Sequence, residues 1–283
     1  MGRLLTALER MSALDPFADR LRGAVQGVLK SRTVRDALHG VWLGHPLHPA
    51  MVQAPLGAWL GTAVLDAIPG QETAATALLG AGNVAAVPTA IAGANDWASL
   101  SREQRRVGLA HAVANAVAAG LYWASLTARL RGRHATGRRL AYLGLAVASG
   151  SAYLGGHLSY AQAAAVNQAA PDLLVIPEGW HPIGELVEFP DGQTTVRRLG
   201  DVPVLVYRDG AEYTVLLERC AHQRGPLGEG KLIEEAGERC VVCPLHGSTY
   251  RLRDGVVVHG PAASDQPTLR TRVLAGRLEV STD

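Results

Sequence analysis

The sequence predicts a two-part protein, in which an all-α, four-helix transmembrane bundle is followed by an all-β antiparallel sandwich. Four long stretches lack every Asp, Glu, Lys and Arg: residues 37–65, 73–95, 107–128 and 140–171. The charge balance also changes sign, because residues 1–170 hold 15 Lys and Arg against 8 Asp and Glu, whereas residues 171–283 hold 12 against 17. Short β-type runs separated by Asp-Gly turns follow residue 171. Two modules with different surroundings are therefore expected.

The first segment, residues 1–36, is polar and basic. Asp15-Pro16 is a helix-start signal, and Leu21, Val25 and Val28 then recur at helical spacing. An amphipathic helix is therefore expected. Either it lies on a membrane surface, or it packs against the rest of the protein.

Each of the four uncharged stretches exceeds the ~20 residues that a helix needs to cross a bilayer. They are rich in Ala and Gly, which suit close helix packing in lipid. A soluble bundle would need a charged outer face along each helix, and these stretches have none. We therefore predict membrane-spanning helices near residues 50–68, 75–96, 107–128 and 139–160.

Four spans would put both chain termini on the same side of the membrane. Near the helix ends, that side carries six basic residues against five on the other side. The positive-inside rule therefore slightly favours a cytoplasmic N-terminus and a cytoplasmic β domain.

Several polar residues are expected to gather at the edge of the bundle on this same side: His45, His48, Asp96, His111 and His157. Ionisable groups at membrane depth are costly, so they suggest a functional site. One hypothesis is a haem b held by two of the histidines, and another is a quinone pocket. The structural alternative is that these residues cap helices and pair with one another.

The β part contains two short Cys/His pairs, Cys220-Ala-His222 and Cys243-Pro-Leu-His246. Two thiolates on one iron and two neutral imidazoles on the other are the ligand set of one type of 2Fe–2S cluster. A mononuclear Cys2His2 zinc site is the alternative, but zinc fingers usually pair Cys-x2-Cys with a distal pair of histidines. The sequence therefore predicts the iron–sulfur cluster.

Residues 172–281 resemble the Rieske family, through these pairs and the turns Gly225-Pro226 and His246-Gly247-Ser248. The resemblance implies that Cys220, His222, Cys243 and His246 are the cluster ligands. It also implies that Ser248 and Tyr250 hydrogen-bond to the cluster sulfurs and tune the potential.

Rieske proteins of the quinol–cytochrome type carry an additional disulfide between the two loops. Gly225 and Leu245 stand at those positions here, so this disulfide is absent, as in ferredoxin-type members. The third cysteine, Cys240, lies in an apolar run and is predicted to be a buried thiol.

The other β-type runs predict strands over these residues: 173–176, 186–189, 194–199, 204–208, 213–217, 239–242, 256–258, 269–274 and 277–280. We expect His181 and His259 to be surface or turn residues.

The helical part also resembles a family, an uncharacterised group of four-helix bacterial membrane proteins. The motifs are Gly44-His45-Pro46-Leu47-His48-Pro49, Gly93-Ala94-Asn95-Asp96-Trp97 and Gly155-Gly156-His157-Leu158, within about residues 40–165. The resemblance implies a multi-pass protein of the bacterial plasma membrane and no particular chemistry.

Together these observations predict an N-terminal segment (1–36), a membrane domain (37–160), a linker (161–171) and a Rieske domain (172–283). The expected function is one-electron transfer by a membrane-anchored protein between a quinone or haem site and a redox partner. Alternatives are a ferredoxin-type donor to a membrane oxygenase or desaturase, and a redox sensor. No complete catalytic site of its own is visible.

The expected partners are the lipid bilayer and a redox partner protein or quinone. Nucleic acid is not expected, because anionic lipid headgroups account for the basic helical part. The sequence does not predict an oligomeric state.

Overall fold

The computed structural model describes residues 2–282, with side chains from residue 5 onward. The chain divides into two compact units. The first contains Met1–Val34 and Leu47–Ala164, and the second contains Arg35–Pro46 and Ala165–Asp283. The second unit therefore includes a short segment that precedes most of the first unit in sequence. The predicted division into four segments remains a prediction.

Helices make up the first part of the chain. In order they are α1 (Gly2–Glu9), α2 (Asp15–Val28), α3 (Arg32–His39), α4 (Leu47–Met51), α5 (Gln53–Asp66), α6 (Glu72–Trp97), α7 (Arg102–Leu130) and α8 (His134–Tyr160). The predicted helix near residues 50–68 is therefore divided into α4 and α5. Pro55 has no backbone N–H to donate to the carbonyl of Met51, which explains a break at this point.

Among residues 2–282, two helices, α6 and α7, are long and apolar enough to cross a membrane. In the most apolar window of each, 28% of the residues are buried within the chain. A helix in the core of a soluble protein would be mostly buried. By contrast, α5 has only 14 residues.

The core of the helical unit combines aromatic stacking with a buried ion pair. Trp59 of α5 stacks on Tyr122 of α7, with ring centroids 4.2 Å apart. Arg129 of α7 holds both carboxylate oxygens of Asp66, at 2.8 and 2.5 Å. These two charged side chains are 1% and 4% exposed, so each depends on the other in a water-poor environment.

The amphipathic helix predicted near the N-terminus is α2, and it packs against the rest of the helical unit. Asp15 accepts two hydrogen bonds of 2.7 Å from the guanidinium of Arg106 in α7. Asp19 pairs with Arg105 at 2.8 Å, and Arg22 donates to the carbonyl of Ala98. These contacts agree with the second of the two expectations, that the helix packs against the rest of the protein, and they involve the polar face of α2.

Among its described residues, the second unit contains ten antiparallel strands: β1 (His181–Glu185), β2 (Thr194–Leu199), β3 (Val202–Asp209), β4 (Glu212–Leu217), β5 (Lys231–Glu235), β6 (Glu238–Val242), β7 (Thr249–Arg251), β8 (Val257–His259), β9 (Thr268–Leu274) and β10 (Arg277–Ser281). They form a six-stranded sheet in the order β1-β10-β9-β4-β3-β2 and a four-stranded sheet in the order β5-β6-β7-β8. Buried Val, Leu and Ile side chains and Tyr250 form one core in this unit.

Two predicted strands are wrong. Residues 173–176 lie largely within a 3₁₀ helix at Ala170–Val175, and residues 186–189 largely within another at Leu186–Glu188. Asp172, in the first of these, accepts two hydrogen bonds of 2.9 Å from Arg224, which hold the segment against a loop. A short apolar run alone does not distinguish these turns from strands.

Candidate metal centre

The two Cys/His pairs lie in loops at strand ends. The first loop follows β4 and the second joins β6 to β7. Each loop is closed by hydrogen bonds around its cysteine. The Cys220 N–H donates to the carbonyl of Gly225 at 2.9 Å, and the Cys243 N–H donates to the carbonyl of Ser248 at 2.8 Å. Each cysteine is therefore fixed by the backbone of its own loop.

The two loops touch each other at a glycine. A β-carbon at Gly225 would lie 2.7 Å from the sulfur of Cys243 and 2.9 Å from the side chain of Leu245. No ordinary contact is that short, so a side chain at this position would require the two loops to shift. Gly225 and Leu245 stand at the positions that form a disulfide in Rieske proteins of the quinol–cytochrome type, and they lie close together here as well. All three cysteines of the chain are free.

The sulfurs of Cys220 and Cys243 face each other in a buried, hydrogen-bonded pair. The thiol of Cys220 and the backbone N–H groups of Leu245 and His246 lower the pKa of Cys243 to about 6. The pairing with Cys243, together with burial, raises the pKa of Cys220. One sulfur is thus ready as a thiolate, the form that binds metal.

The imidazoles of His222 and His246 form a second pair, with ring centroids 5.0 Å apart and planes at 90°. With metal–nitrogen bonds of about 2.0–2.1 Å, two imidazoles on one metal at roughly tetrahedral angles have centroids about 5 Å apart. The Nδ1 atom of His222 is buried and has no hydrogen-bond partner. Burial and the neighbouring His246 and His39 lower the pKa of His222 to about 3, so this ring is neutral, as a metal ligand must be.

The two cysteine thiols therefore lie together as one pair, and the two histidine imidazoles lie together as another. Within residues 2–282, no group of three or more His, Cys, Asp or Glu side chains is placed so that it could hold a single metal ion. A mononuclear zinc site would need all four donors to converge on one point. Two separate pairs of donors fit a binuclear cluster with one pair on each iron.

The predicted tuning residues lie next to these donors. The hydroxyl of Tyr250 is 3.2 Å from the sulfur of Cys220, and the ring is fully buried. Burial and the nearby Cys220 raise the pKa of Tyr250 well above its ordinary value, so the hydroxyl stays protonated. Ser248 contacts the Tyr250 hydroxyl and accepts a hydrogen bond of 3.0 Å from the N–H of Ala262.

Sequence reasoning missed Gln266, which orders the first loop. Its side-chain amide donates to the carbonyls of Leu217 and Arg219 at 2.7 and 2.8 Å, and its oxygen accepts from the N–H of Ala221 at 2.8 Å. It is 1% exposed. No local motif marks this glutamine, because its partners lie more than 40 residues earlier in the chain.

The remaining cysteine, Cys240, is fully buried in β6. Burial is the main cause that raises its pKa. It therefore behaves as the buried thiol that the sequence predicts.

The polar residues predicted at the membrane edge do not form one group. His48 and His111 approach each other, with ring centroids 6.4 Å apart and planes at 88°. The Nδ1 atom of His48 lies 2.9 Å from the carbonyl of Thr89, and that of His111 lies 2.8 Å from the carbonyl of Ser151. Asn115 donates to the Nε2 atom of His111 at 3.0 Å.

The other three members of that set have separate surroundings. His157 pairs with Glu9 at 2.8 Å. His45 is exposed, belongs to the second unit and contacts the carbonyl of Pro46. Asp96 lies at the end of α6, where its backbone carbonyl accepts a hydrogen bond from Ser99.

Comparison with known proteins agrees with this description. Residues 179–271 match the Rieske [2Fe-2S] domain family. Residues 44–168 match a family described as predicted membrane protein, DUF2231.

Among curated proteins, the anthranilate 1,2-dioxygenase ferredoxin subunit of Burkholderia cepacia is 31% identical over 102 residues, which are 36% of this chain and 91% of that protein. The 3-phenylpropionate/cinnamic acid dioxygenase ferredoxin subunit of Escherichia coli K12 is 28% identical over 92 residues, 32% of this chain and 82% of that protein. The solved ferredoxin of carbazole 1,9a-dioxygenase from Nocardioides aromaticivorans IC177 has 21% identity and a TM-score of 0.34, and the alignment covers 38% of this chain and all of that one.

The fold and the paired donors thus define an iron–sulfur protein of the Rieske class. The chain belongs to the Rieske [2Fe-2S] family. It carries this domain after a helical region that matches a family of predicted membrane proteins. A Rieske domain implies a 2Fe–2S cluster and a function in electron transfer.

Proposed function

We propose that this protein is a membrane-anchored one-electron carrier. When bound, a Rieske cluster supplies reversible one-electron transfer at an iron held by histidines. Cys220 and Cys243 would hold one iron, and His222 and His246 the other. This assignment rests on the pairing of thiol with thiol and of imidazole with imidazole. The centroids of the two imidazole rings are 5.0 Å apart.

The residues around the ligands have definite tasks in this proposal. Backbone N–H groups of Leu245 and His246 stabilise negative charge on Cys243. The hydroxyl of Tyr250 lies 3.2 Å from the sulfur of Cys220, and because it keeps its proton it would donate to the ligand thiolate. Hydrogen bonds to ligand sulfur favour the more negative, reduced state, so both features raise the reduction potential.

The experiment that tests the ligand assignment is iron and sulfide analysis of the purified full-length protein and of four single variants, Cys220→Ser, His222→Ala, Cys243→Ser and His246→Ala. Each variant should lose the cluster. Cys240→Ser is the matched control and should keep it. Wild-type levels of iron in any one of the four would remove that residue from the ligand set.

The partner that we favour is a ferredoxin-dependent oxygenase or desaturase, which is the second function that the sequence suggested. The two curated relatives described above are ferredoxin subunits of dioxygenases, and the inter-loop disulfide of quinol-type Rieske proteins is absent. Pull-down of the cluster-loaded protein from membranes should recover an oxygenase or a reductase. Loss of quinol oxidation in a deletion strain, with oxygenase activity intact, would favour the quinone-linked function instead. A redox sensor would leave both activities unchanged.

We also propose a multi-pass topology in the bacterial plasma membrane, with the Rieske domain on the side of the N-terminus, in the cytoplasm. The support is the match of residues 44–168 to predicted membrane proteins and the two long apolar helices. Single cysteines introduced at Thr282 and in the α7–α8 loop, on a cysteine-depleted background, test this topology with a membrane-impermeant thiol reagent. Only the loop cysteine should react in intact cells.

Of the residues predicted as a haem or quinone site, we propose the pair His48 and His111. Their ring centroids are 6.4 Å apart, with planes at 88°. Both Nδ1 atoms are anchored on backbone carbonyls, as is usual for metal-ligating histidines. The Nε2 atom of His111 accepts a hydrogen bond from Asn115, so a haem iron would have to displace that amide. A haem α-band in the wild-type protein that is absent from His48→Ala and His111→Ala would support haem, whereas its absence from the wild type would leave quinone binding.

A further inference from the structure

Three side-chain pairs of the helical unit join residues that are equally far apart in sequence. The pairs are His48 with His111, Trp59 with Tyr122, and Asp66 with Arg129. In each pair the second residue comes 63 positions after the first. The first members lie in α4 and α5, and the second members all lie in α7. The first helical segment therefore faces α7 position for position.

The helices that follow, α6 and α8, show the same relationship with an offset of 62 positions. The Nδ1 atom of His48 lies 2.9 Å from the carbonyl of Thr89 in α6, and that of His111 lies 2.8 Å from the carbonyl of Ser151 in α8. We call residues equivalent when they are 63 positions apart between α4–α5 and α7, or 62 positions apart between α6 and α8. Equivalent histidines thus have equivalent partners.

Glycines at equivalent positions lie against the rings of these pairs. They are Gly82 and Gly93 in α6, and Gly144 and Gly155 in α8. A β-carbon at these positions would lie between 2.8 and 3.2 Å from the rings of Trp59, His48, Tyr122 and His111, respectively. Such contacts are tighter than ordinary ones, so a side chain at any of the four positions would require a ring to shift.

Contacts between neighbouring hairpins are also repeated, with the roles of the helices exchanged. A β-carbon at Gly80 of α6 would lie 4.0 Å from the side chain of Leu126 in α7. Tyr142 of α8, equivalent to Gly80, donates a hydrogen bond of 3.0 Å to the carbonyl of Ala63 in α5, which is equivalent to Leu126. A two-fold rotation of the bundle exchanges these two contacts. Pairs of equivalent residues that contact each other lie on the axis of such a rotation.

The residues that face the interior of the bundle match in the same way. The buried residues of α5 are Pro55, Trp59 and Thr62, and their equivalents in α7 are also buried: Ala118, Tyr122 and Ser125. The matching buried pairs of α6 and α8 are Ala75 with Gly137, Leu79 with Ala141, Gly82 with Gly144, and Thr89 with Ser151. Few of these residues are identical, so the repeat is more evident in the structure than in the sequence.

We propose that the helical unit is a tandem duplication of one helical hairpin, and that the inner face of this hairpin is a docking surface for a second copy of itself. The copies comprise residues 48–97 and 111–159. Because the two copies run in the same direction, the two-fold axis between them runs along the helices. The interface is isologous, as in a two-fold dimer, although both copies belong to one chain.

The axis passes between His48 and His111, so each copy contributes the same group to the histidine site proposed above. This consequence rests on that proposed site, whereas the docking of the two copies does not. One position near the site departs from the symmetry. Asn115, which contacts His111, is equivalent to Val52.

The buried ion pair departs from the symmetry in a way that can be tested. Two like charges on the axis would repel each other in a water-poor environment, whereas Asp66 and Arg129 neutralise each other. A β-carbon at Gly137 would lie 2.6 Å from the side chain of Arg129, so the glycine accompanies the arginine. In the copy that carries the smaller Asp66, the equivalent position is Ala75.

The test interchanges these residues in the full-length protein and measures thermal unfolding in detergent by circular dichroism. Asp66→Arg with Arg129→Asp interchanges the charges alone and should lower the unfolding midpoint. Addition of Ala75→Gly and Gly137→Ala moves the glycine with the arginine and should recover at least half of that loss. A fourfold variant that unfolds at or below the midpoint of the charge interchange would overturn the proposal.

The matched control is the ion pair of Asp15 with Arg106, which joins α2 to α7 at positions that are not equivalent. Its interchange, Asp15→Arg with Arg106→Asp, should be more damaging than the fourfold variant. Equal midpoints for the two would contradict the duplication.

A milder interchange keeps the proposal testable if the charge variants do not fold. Trp59→Tyr with Tyr122→Trp retains both rings and the glycines against them, so it should unfold within a few degrees of wild type. A midpoint as low as that of Trp59→Ala would overturn the proposal. None of these measurements needs a ligand at the histidines. Haem or quinone binding without tolerance of the interchanges would support the histidine site and refute the duplication.

Discussion

The hydroxyl of Tyr250 lies 3.2 Å from the sulfur of Cys220, inside the core of the β unit. The two residues come from different parts of the domain, Tyr250 from β7 and Cys220 from the loop after β4. Because the hydroxyl is buried and keeps its proton, it can donate only in the direction of this sulfur or of Ser248. The contact links the fold of the domain to the electronic properties of its metal site.

Replacement of Tyr250 by Phe should lower the reduction potential. The variant removes one hydrogen bond to sulfur and leaves the ring in place. A loss of about 1–2 kcal/mol of differential stabilisation corresponds to roughly 40–90 mV for one electron. EPR-monitored titration measures the shift, and Tyr213→Phe, in β4, serves as the control. A Tyr250→Phe potential equal to that of the control would show that this contact does not tune the cluster.

The cluster-free protein should contain one unusually acidic thiol. The pKa of Cys243 is about 6, whereas the pKa values of Cys220 and Cys240 are raised. Thiolate absorbance in the ultraviolet should therefore increase by one group as the pH rises through about 6. Cys243→Ser should abolish this step and Cys240→Ser should keep it. A step that survives in Cys243→Ser would assign the low pKa to another thiol.

Gly225→Ala should lower the cluster content of the purified protein. The new β-carbon would lie 2.7 Å from the sulfur of Cys243, so the two loops would have to move apart. Iron content measures the effect. Gly150→Ala is a matched control, because a β-carbon there meets nothing within 4 Å. Equal iron content in the two variants would contradict the close approach of the loops.

Gln266→Met should destabilise the β unit and loosen the first cluster loop. The variant keeps the length of the side chain but leaves two buried carbonyls and one N–H without their partner. Unsatisfied buried groups of this kind cost about 2–4 kcal/mol in total. Thermal unfolding followed by circular dichroism would detect this change. An unchanged midpoint would mean that water replaces the glutamine at no cost.

Asp66→Asn should destabilise the helical unit, because it leaves the buried guanidinium of Arg129 without a counter-charge. Removal of one partner from a buried ion pair costs about 3–5 kcal/mol. Glu103→Gln, at an exposed position of α7, is the surface control and should have little effect. Thermal unfolding in detergent compares the two. A similar midpoint for both variants would show that the pair contributes nothing to the bundle.

The sequence was sufficient to predict features that depend on neighbours in the chain. The alternation of Cys and His identified both loops, and the sequence pattern predicted strands at β2, β4 and β10 close to their observed bounds. Gly225 was singled out by its position in the loop. The structure explains the glycine, because a β-carbon at this position would collide with the sulfur of Cys243.

Features that depend on distant contacts were not predictable in this way. The role of Gln266 is defined by backbone groups that lie far earlier in the chain. His259 was expected to be a surface or turn residue, and its contact with Asp36, 223 positions away, was not foreseen. The polar set at the membrane edge was predicted from topology alone. Side-chain packing brings only His48 and His111 of that set into ring contact, and it pairs His157 with Glu9.

Our central proposal is that a Rieske cluster is bound by Cys220, His222, Cys243 and His246. An EPR-monitored redox titration of the purified full-length protein tests it most directly. We expect a Rieske-type signal in the reduced protein, with a midpoint potential within the range of about −150 to +300 mV. Zinc in place of iron and sulfide, with no EPR signal on reduction, would contradict this assignment.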